Sequence, residues 1–428
     1  MSESCRAEHL TVAHLCVISS SCQVAAALAI LQPTLLERQE PLIYDAIVVG
    51  GGPSGAVLAY ELARRGLEVL IIEKATLPRY KACGGGLPLK TVHCLPFDVS
   101  STFELEARGG VLSYRGRQML KVEAQRPTAW LVMRGRFDGF LVEQAVQAGA
   151  GLAAGLAVTG LEEGERLVAA RTGKGPFLAR LLAGADGVNS VVARSVGLLP
   201  RRRVGTAIEA EVTVSPSALA AQGAYATFDF GALPHGYGWI FPKADHLSAG
   251  VFQARPGKAA GLRCALERFV ASQAVLRNHK GLSLRGHRVP LGGRPERLHQ
   301  GRVLLVGDAA NLADPWLGEG IYYAVLSARM AAEAMAAALE GGTIALGGYT
   351  ARVNAEITPQ LRGARLLGNP VYRLPHLGSI LLSCSPLIQT DVFATVRGHV
   401  TFGELNRRLA RGLPRILVQA LRRGGQPV

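Results

Sequence analysis

The sequence predicts an α/β protein, in which a Rossmann-type nucleotide-binding domain is interleaved with a mainly antiparallel β domain and followed by a helical C-terminal region. Three observations support this fold class. Residues 44–74 predict a strand, a glycine-rich turn, a helix and a second strand; residues 111–230 contain several segments of strand-like alternation; and residues 346–428 are helical in character. The 428 residues, 49% of them apolar, provide enough interior for one large domain or about two to three smaller ones.

Residues 1–43 are predicted to be a poorly ordered extension. Their apolar part, Val24–Leu31, is far shorter than the ~20 residues that span a bilayer. Glu3 and Glu8 outweigh Arg6 where a secretory signal would be positively charged. The seven cysteines are scattered without a C-x-x-C pair, so we expect no disulfide framework, no metal site and a cytoplasmic location.

The first complete supersecondary unit begins at Tyr44. The apolar run Ala46–Val49 predicts a buried parallel strand, Ala56–Arg65 has helical periodicity, and Val69–Ile72 predicts the second strand. Together these segments form a βαβ unit, the element from which dinucleotide-binding domains are built.

The turn of this unit has the glycine spacing of a phosphate cradle. Gly50, Gly52 and Gly55 supply G-x-G-x-x-G where the first strand meets the helix. Because glycine has no side chain, backbone N–H groups can reach a pyrophosphate at the helix N-terminus. Glu73, at the end of the second strand, is placed to bind ribose hydroxyls. A purely structural glycine turn is the alternative, but it does not account for Glu73.

Three later segments indicate which dinucleotide binds. GADGVNSVVAR occupies residues 184–194, GDAANLADPWLGEGIYY occupies residues 307–323, and RGRFDGFLVEQAVQAGA begins at Arg134. In this order and spacing they resemble the fingerprints of the flavoprotein group that includes the aromatic-ring hydroxylases, so the implied cofactor is FAD. The resemblance implies that Asp308 binds the ribityl chain, that Arg134 lies along the cofactor, that Asp186 orders the adjacent loop, and that Gly318 and Gly320 approach the flavin pyrimidine edge.

Two further motifs narrow the class. PHGYGWIFP, residues 234–242, has the form P-x-x-Y-x-W-x-F-P with Gly250 after seven further residues, and RYKACGGGLP spans residues 79–88. From Tyr44 to about Gly348 the chain thereby resembles the geranylgeranyl reductase family, flavoproteins that saturate isoprenoid double bonds in chlorophyll and lipid precursors. The chain departs from the family motif at Phe252, where the motif closes with glycine. The bulkier side chain bears on the expected width of the substrate channel.

The aromatic residues of the first motif are expected to bind the substrate. Tyr237, Trp239 and Phe241 alternate on a strand, so their rings point to one face, and Gly250 belongs to the same predicted site. From alternation alone, ordinary core of a β domain is the alternative; the flanking prolines and the family resemblance favour a wall for an isoprenoid chain. His235 is interpreted as a surface residue, with proton donation as its alternative role.

Cys83, Tyr237 and Trp239 are the predicted catalytic residues. Arg79, which is also assigned to the cofactor site, and Lys81 make the surroundings of Cys83 electropositive, which favours the thiolate. Its role as a proton donor, a redox-sensitive gate or a small packing residue is left open. The two rings would stabilise cationic character that develops at an alkene carbon during its protonation.

The reaction implied by the resemblance adds a hydride and a proton across an isolated alkene, with reduced flavin N5 as the hydride source and NADPH or reduced ferredoxin as the electron donor. No second G-x-G-x-x-G opens a βαβ unit, so no separate NAD(P)H domain is predicted. A flavin monooxygenase or halogenase is the nearest alternative, although halogenases carry W-x-W-x-I-P where this chain has Y-x-W-x-F-P. An electron-transfer flavoprotein that reduces quinone is the other, and the scattered cysteines offer it no iron–sulfur cluster.

The net charge of +15 is concentrated near the C-terminal end. Between Arg362 and Val428 there are ten arginines and no lysine, against only Asp391 and Glu404. Because there is little aromatic interleaving, this arrangement argues against nucleic acid and favours peripheral contact with an anionic membrane or a prenyl diphosphate. A solvated basic helix face is the alternative. The expected partners are thus an isoprenoid lipid or prenyl diphosphate, a membrane surface and an electron-donor protein.

The predicted domains are discontinuous. Alternation at Val111–Tyr114, Ala207–Val214 and Ala224–Phe230 predicts a substrate domain with a largely antiparallel sheet. The predicted boundaries are 44–98, 130–198 and 288–345 for the FAD-binding domain, 99–129 and 199–287 for the substrate domain, and 346–428 for the C-terminal helices.

Overall fold

The computed structural model describes residues 42–199, 202–255, 259–279, 281–378 and 386–422. Residues 1–41, nearly all of the predicted extension, lie outside the described residues. The strands are β1 (Ile43–Val49), β2 (Val69–Glu73), β3 (Gly86–Pro88), β4 (Phe103–Ala107), β5 (Gly109–Tyr114), β6 (Arg117–Glu123), β7 (Ala129–Val132), β8 (Gly151–Ala154), β9 (Val158–Glu163), β10 (Val168–Thr172), β11 (Gly175–Gly184), β12 (Val204–Val212), β13 (Ala226–Asp229), β14 (Gly236–Pro242), β15 (Leu247–Gln253), β16 (Arg285–Pro290), β17 (His299–Gln300) and β18 (Val303–Leu305). The helices are α1 (Pro53–Ala63), α2 (Leu89–Cys94), α3 (Arg134–Gln147), α4 (Val191–Ser195), α5 (Pro216–Gln222), α6 (Ala259–Ser272), α7 (Ile321–Gly341), α8 (Leu346–Glu356), α9 (Thr358–Arg373), α10 (Pro386–Arg397) and α11 (Phe402–Arg422).

The predicted nucleotide-binding region is built on an eight-stranded sheet. Its central strands β18, β11, β1, β2 and β8 are parallel, β17 pairs antiparallel with β18, and the hairpin of β9 and β10 extends β11. Strands covered on both faces need continuous apolar sequence, and all five residues of β2 are buried. Helix α1 packs against α3 and α7. The carboxyl ends of the parallel strands therefore meet at one edge, where such sheets bind ligands.

The first helix differs from its predicted bounds. It begins at Pro53, three residues before the predicted Ala56, and ends at Ala63 rather than Arg65. Proline is favourable in the first turn of a helix, because its missing N–H would have no partner there. Gly66, at φ +77°, turns the chain away after the helix.

The second sheet has seven strands in the order β16, β12, β15, β14, β13, β5 and β6. All of its pairs are antiparallel except the parallel pair of β13 and β5. The predicted segments Val111–Tyr114, Ala207–Val214 and Ala224–Phe230 fall on β5, β12 and β13. Residues 288–290, predicted in the FAD-binding domain, pair with β12 as the end of β16. The α/β fold class with an interleaved β region is confirmed.

A third, three-stranded sheet was not predicted. It has the order β3, β7, β4 and is antiparallel throughout. Strand β3 begins at Gly86, the last glycine of the C-G-G-G run of residues 83–86, and β7 leads directly into α3. This small sheet thereby fixes the segment around Cys83 against the start of α3. Pairing between strands this short cannot be seen in sequence alternation.

The C-terminal helices α8 to α11 follow the long α7. Helix α9 packs against α11, and residues of both join an aromatic cluster with the rings of β14. Tyr372 from α9 and Phe402 from α11 are buried members of this cluster. The helical C-terminal region thus packs against the aromatic residues of the substrate sheet.

Candidate active site

A cavity of about 860 Å³ lies between the carboxyl edge of the first sheet and one face of the second. Its lining includes the glycine turn 50–53, the segment 79–86, the loop 313–320 and the three rings of β14. The volume is within the range of ordinary cofactor and ligand sites. The motifs that the sequence distributes over more than 250 residues therefore open onto a single space.

At the nucleotide end, two glycines are required by close backbone contacts. A Cβ on Gly55 would lie 1.9 Å from the carbonyl oxygen of Gly50, and one on Gly50, at φ +109°, would lie 2.4 Å from that of Ala185. Gly52 faces open space, with the guanidinium of Arg79 nearest at 3.8 Å from a Cβ placed there. No side chain caps the N-terminus of α1. The free N–H groups beside this opening suit a pyrophosphate.

Glu73 holds the glycine turn in shape. It is 4% exposed, its Oε2 accepts a 2.7 Å hydrogen bond from the N–H of Gly51, and its Oε1 accepts one of 2.9 Å from Ala75. Arg79 Nε lies 3.6 Å from Oε1. Glu73 lines the cavity, as the predicted ribose contact requires, and it also fixes the turn that forms the cradle.

Two arginines predicted in the cofactor site share one buried carboxylate, that of Asp138. Arg134 binds it through two hydrogen bonds of 2.8 and 2.9 Å, and Arg79 Nη1 lies 3.2 Å from it. Burial lowers the pKa of Arg134, but Asp138 and Cys83 together outweigh burial and raise it above its ordinary value. A chain of charges thus runs from Glu73 to the neighbourhood of Cys83. Asp138 was missed, although its position four residues after Arg134 on a helix could have indicated the pair.

Asp308 lies in the turn after β18 and faces the cavity. Its carboxylate is surrounded by basic groups: His287 Nε2 is 4.0 Å from Oδ2, and Lys81 Nζ is 3.2 Å from the same imidazole nitrogen. Burial alone would raise the pKa of Asp308, but His287 and Lys81 hold it below its ordinary value. The carboxylate is therefore ionised and can accept hydrogen bonds from ligand hydroxyls.

The loop before α7 presents backbone to the cavity. Gly318 has φ +71°, and Gly320 precedes the first turn of α7, where the N–H of Tyr322 donates to Glu319 Oε1 at 2.7 Å. A Cβ on Gly320 would lie 3.2 Å from Asp308 Oδ1, so this carboxylate and the helix N-terminus are adjacent. The positive end of the helix dipole favours a ligand group that carries negative charge. Asp186 accepts N–H bonds of 2.6 and 3.2 Å from Val191 and Val192, and it thereby orders the start of α4 beside the cavity.

The segment around Cys83 is held by a buried lysine that the sequence did not reveal. Lys243, 1% exposed, donates to the carbonyl of Gly84 at 2.8 Å and to that of Val132 at 3.0 Å. Gly85 has φ +67°, and a Cβ there would lie 2.1 Å from the Val132 oxygen. Cys83 itself is half-buried in the cavity wall, and its Sγ accepts a 3.4 Å contact from the Gly85 N–H.

The three rings of β14 line the cavity together. Adjacent ring centroids are 6.2 Å apart for Tyr237 and Trp239, and 6.4 Å apart for Trp239 and Phe241. Gly250 is the direct partner of Trp239 in β15, and a Cβ on it would lie 2.2 Å from the indole Cζ2. The indole therefore lies across Gly250. Tyr237 donates its hydroxyl to the carbonyl of Leu317, next to the predicted flavin loop.

The departure at Phe252 is accommodated within the sheet. Phe252 is buried opposite Tyr237, with ring centroids 5.5 Å apart. A Cβ on Gly205 would lie 2.7 Å from the Phe252 ring, so glycine on the neighbouring β12 leaves space for it. The ring lines the cavity rather than filling it. His235 lies in a separate small pocket with Arg203, so it does not line this cavity.

Glu209 is a further buried acid in the wall that the sequence reading missed. It is 1% exposed, and its Oε1 accepts hydrogen bonds from the Cys83 N–H at 2.7 Å and the Tyr80 hydroxyl at 2.9 Å. The sequence signal for Glu209 was weak: it lies two residues after Ala207 on an alternating strand, so the two side chains share one face of the sheet, the face that lines the cavity.

A protein-family model described as "FAD binding domain" matches residues 43–258 and 261–354. Two curated relatives are similar to the chain over much of its length. Digeranylgeranylglycerophospholipid reductase 1 of Methanopyrus kandleri is 32% identical over 318 residues, covering 69% of this chain and 81% of that protein. The chloroplastic geranylgeranyl diphosphate reductase of Oryza sativa subsp. japonica is 31% identical over 322 residues, covering 69% and 67%.

Solved structures share the fold. A geranylgeranyl bacteriochlorophyll reductase-like protein of Thermoplasma acidophilum superposes with a TM-score of 0.72 at 22% identity, covering 89% of this chain and 99% of that one. A flavin-dependent brominase superposes with a TM-score of 0.67 at 19% identity, covering 87% and 100%. At these identities the likeness shows the fold alone, so it does not separate reduction of an alkene from halogenation.

Proposed function

Because the chain belongs to the geranylgeranyl reductase family of FAD-dependent oxidoreductases, we propose that it saturates isolated double bonds of an isoprenoid chain. The substrate class comprises prenyl diphosphates, prenylated lipids, and chlorophyll-type or quinone molecules with a prenyl tail. The observation that carries the proposal is one cavity that opens onto both a phosphate cradle and a wall of aromatic rings. Such a wall suits a linear apolar chain, and the cradle suits a dinucleotide.

The residues present fit FAD. A Cβ on Gly50 or Gly55 would clash with the backbone carbonyls that shape the cradle, and the N-terminus of α1, which no side chain caps, lies at the cavity. In the proposed site Glu73 binds ribose, Asp308 binds the ribityl hydroxyls, and the backbone at Gly318 and Gly320 approaches the flavin. Bound in reduced form, FAD supplies the hydride equivalent that an isolated alkene requires.

The protein's own residues then have to align the alkene, exclude water and provide a proton. An isolated alkene has no carbonyl to polarise it, so protonation gives one carbon cationic character. The faces of Tyr237 and Trp239, 6% and 5% exposed, can stabilise that charge and keep water away. Gly84 lets the Phe241 ring pack against the backbone of this wall, since a Cβ there would lie 2.8 Å from the ring. Cys83 lies at the same wall, where a proton-donating or gating thiol would act.

An anaerobic assay tests the proposal. Photoreduced enzyme is mixed with geranylgeranyl diphosphate or a prenylated lipid, and the products are examined by mass spectrometry. Gain of two hydrogens per double bond supports the reductase; if reduced flavin persists until oxygen is admitted, and no prenyl species gains mass, the monooxygenase or halogenase alternative replaces it. Parallel reactions driven by NADPH and by reduced ferredoxin identify the electron donor.

The same assay on Trp239→Leu tests the catalytic role of the indole. We expect kcat to fall about tenfold as the loss of charge stabilisation reaches roughly 1–2 kcal/mol. Trp130→Leu is the control, because Trp130 stacks on Phe103 in the third sheet and is not part of the lining. An unchanged kcat with a raised KM would mean that the indole is only a wall.

We also propose peripheral contact with an anionic membrane, through arginines and exposed leucines on and near α9; the arginines are exposed except Arg365, which is half-buried. None of these arginines forms an ion pair or side-chain hydrogen bond within the described ranges. The members, named here the arginine–leucine face, are Arg203, Arg255, Arg362, Arg365, Arg373, Leu366, Leu374 and Leu377. Among the described helices, none is long and apolar enough to cross a bilayer.

Flotation with anionic vesicles tests this surface. Arg362→Glu with Arg373→Glu should abolish flotation, and binding by the wild type should weaken as salt rises, because surface charges are screened. Arg166→Glu with Arg268→Glu makes the same change of net charge on exposed arginines elsewhere. Equal losses from both pairs would show that overall charge, rather than this face, determines binding.

A further inference from the structure

Glu209 lies in the same row of the substrate sheet as the central ring of the aromatic wall. Glu209 on β12 pairs with Gly250 on β15, and Gly250 pairs with Trp239 on β14. Directly opposed residues of antiparallel strands point to the same face. Because Gly250 has no side chain and the Trp239 indole extends over it, the carboxyl group and the indole flank one small area of the cavity wall.

The hydrogen bonds of Glu209 leave one oxygen free. Its Oε1 accepts from the backbone N–H of Cys83 at 2.7 Å and from the hydroxyl of Tyr80 at 2.9 Å. Its Oε2 is buried and has no hydrogen-bond partner in the described residues. A carboxylic acid donates through one oxygen and accepts through the other, so a proton on Glu209 belongs on Oε2. The neutral acid therefore presents a donor without an internal acceptor.

The surroundings of Glu209 keep a substantial fraction of it as the neutral acid near pH 7. Burial raises the carboxyl pKa to about 7, the neighbouring charge of Glu211 adds to the effect, and the Tyr80 hydrogen bond and the ammonium of Lys243 oppose it. Arg285 on β16 is the direct partner of Glu209 on its other side, and its own side chain is exposed.

We propose that Glu209 is a catalytic acid of this site, which donates the Oε2 proton to a carbon of the isoprenoid double bond. The proposal rests on the proposed reductase function. The O–H bond of Glu209 breaks as the π electrons of the alkene form a C–H bond; the other carbon accepts the hydride equivalent of reduced flavin, which is oxidised. Water then reprotonates the carboxylate.

In this proposal Cys83 positions the catalytic acid. Its backbone N–H orients Glu209, and its Sγ remains within electrostatic reach of Arg134 and Lys243. The carboxyl group, with its pKa near neutrality, can both release and regain a proton during turnover.

Glu209→Gln tests the proposal, because glutamine keeps the oxygen that accepts from Cys83 and Tyr80 but cannot supply the proton. We expect FAD content and KM close to those of the wild type and a kcat about 100-fold lower. In the wild type, kcat should fall as the pH rises through about 7, since the acid is lost, and this limb should be absent in the variant. Glu211→Gln is the control: it keeps the proton donor and should retain the limb, moved to lower pH.

Infrared difference spectroscopy of the oxidised holoenzyme gives a readout that does not depend on turnover. Raising the pH from 5 to 9 should remove a carboxylic-acid C=O band that Glu209→Gln lacks from the start. Asp314 is a second buried acid with a pKa raised to about 7, by burial first and then by Glu319, so Asp314→Asn identifies its separate band.

The outcomes separate the two proposals. Suppose that the wild type reduces prenyl substrates. If Glu209→Gln then keeps the wild-type kcat and pH profile, or shows the same carboxylic-acid bands as the wild type, the role of Glu209 is overturned and the reductase function stands. If the wild type reduces no prenyl substrate, the proposed function falls whatever the band does, and the catalytic role of Glu209 falls with it.

Discussion

The two ends of the cavity use glycine for different physical reasons. At the nucleotide end, a Cβ on Gly55 or Gly50 would meet a backbone carbonyl, at 1.9 and 2.4 Å. At the aromatic end, a Cβ on Gly250 or Gly84 would meet a ring, at 2.2 Å from Trp239 and 2.8 Å from Phe241. Backbone in a tight turn cannot move without losing the turn, whereas a side chain can adopt another rotamer.

The two ends of the cavity therefore tolerate amino-acid substitutions to different extents. At the nucleotide end the glycines cannot be replaced, because they are required by the main-chain geometry that also binds the phosphate. The aromatic end can be reshaped, and Phe252 with Gly205 shows how: a glycine on the neighbouring strand leaves space for the Phe252 ring. Cofactor and substrate specificity can therefore change independently.

The largest effect is expected from Gly55→Ala. The added methyl would overlap the Gly50 carbonyl, open the turn and remove the N–H groups from the cradle. We expect FAD affinity to fall at least about 100-fold, or about 2.8 kcal/mol, measured by flavin absorbance and titration of the apoprotein.

Gly261→Ala is the matched control, since Gly261 is exposed on α6 with nothing within 4 Å of an added Cβ. Gly261→Ala should leave FAD binding unchanged. The two variants are compared at equal folded fraction, which circular dichroism measures. Stoichiometric FAD in Gly55→Ala would show that the turn can shift, and the proposed difference between the ends would then be wrong.

An intermediate effect is expected from Gly250→Ala. Its methyl would displace the Trp239 indole, so KM for the prenyl substrate should rise about tenfold, or about 1.4 kcal/mol, while FAD remains bound. Trp239→Phe in the same chain removes the overlapping ring edge and should recover part of the loss. A double-mutant cycle measures this coupling, expected at roughly 0.5–3 kcal/mol. Loss of FAD from Gly250→Ala would contradict an independent substrate end.

The same contrast explains how much the sequence could predict. The glycine turn, Glu73 and Asp308 are local signals, because strand, turn and helix are contiguous and each motif lies at the end of one strand. The alternation of Tyr237 and Trp239 also predicted one lining face, which the cavity shows. Such features depend on spacing within a segment, so they can be read without knowing the fold.

Features that depend on pairing between distant segments were missed. The pairing of three strands places Glu209 in line with Trp239, and Glu209 also contacts Cys83, 126 residues earlier; Lys243 reaches Gly84 across 159 residues. The third sheet depends on short strands that have no recognisable alternation. In physical terms, burial turns ordinary charged residues into site residues, and burial is a property of the assembled sheets.

The smallest effect on ligand affinity is expected where the two ends are joined. The Tyr237 hydroxyl, on the substrate sheet, donates to the Leu317 carbonyl beside Gly318 of the cofactor loop. Tyr237→Phe keeps the ring but leaves a buried carbonyl without this donor, so we expect the free energy of unfolding to fall by about 1–3 kcal/mol and FAD affinity to change by less than about threefold. Chemical denaturation and flavin titration measure the two quantities.

Tyr60→Phe is the control, since the half-buried Tyr60 ring packs on Phe97 and no hydrogen bond of its hydroxyl is seen in the described residues. If Tyr237→Phe lowers FAD affinity as strongly as Gly55→Ala, the cofactor loop depends on the substrate sheet and the two ends form one unit. If it costs stability but leaves FAD bound, the hydrogen bond only joins two sites that function separately, which is the result that the different uses of glycine predict.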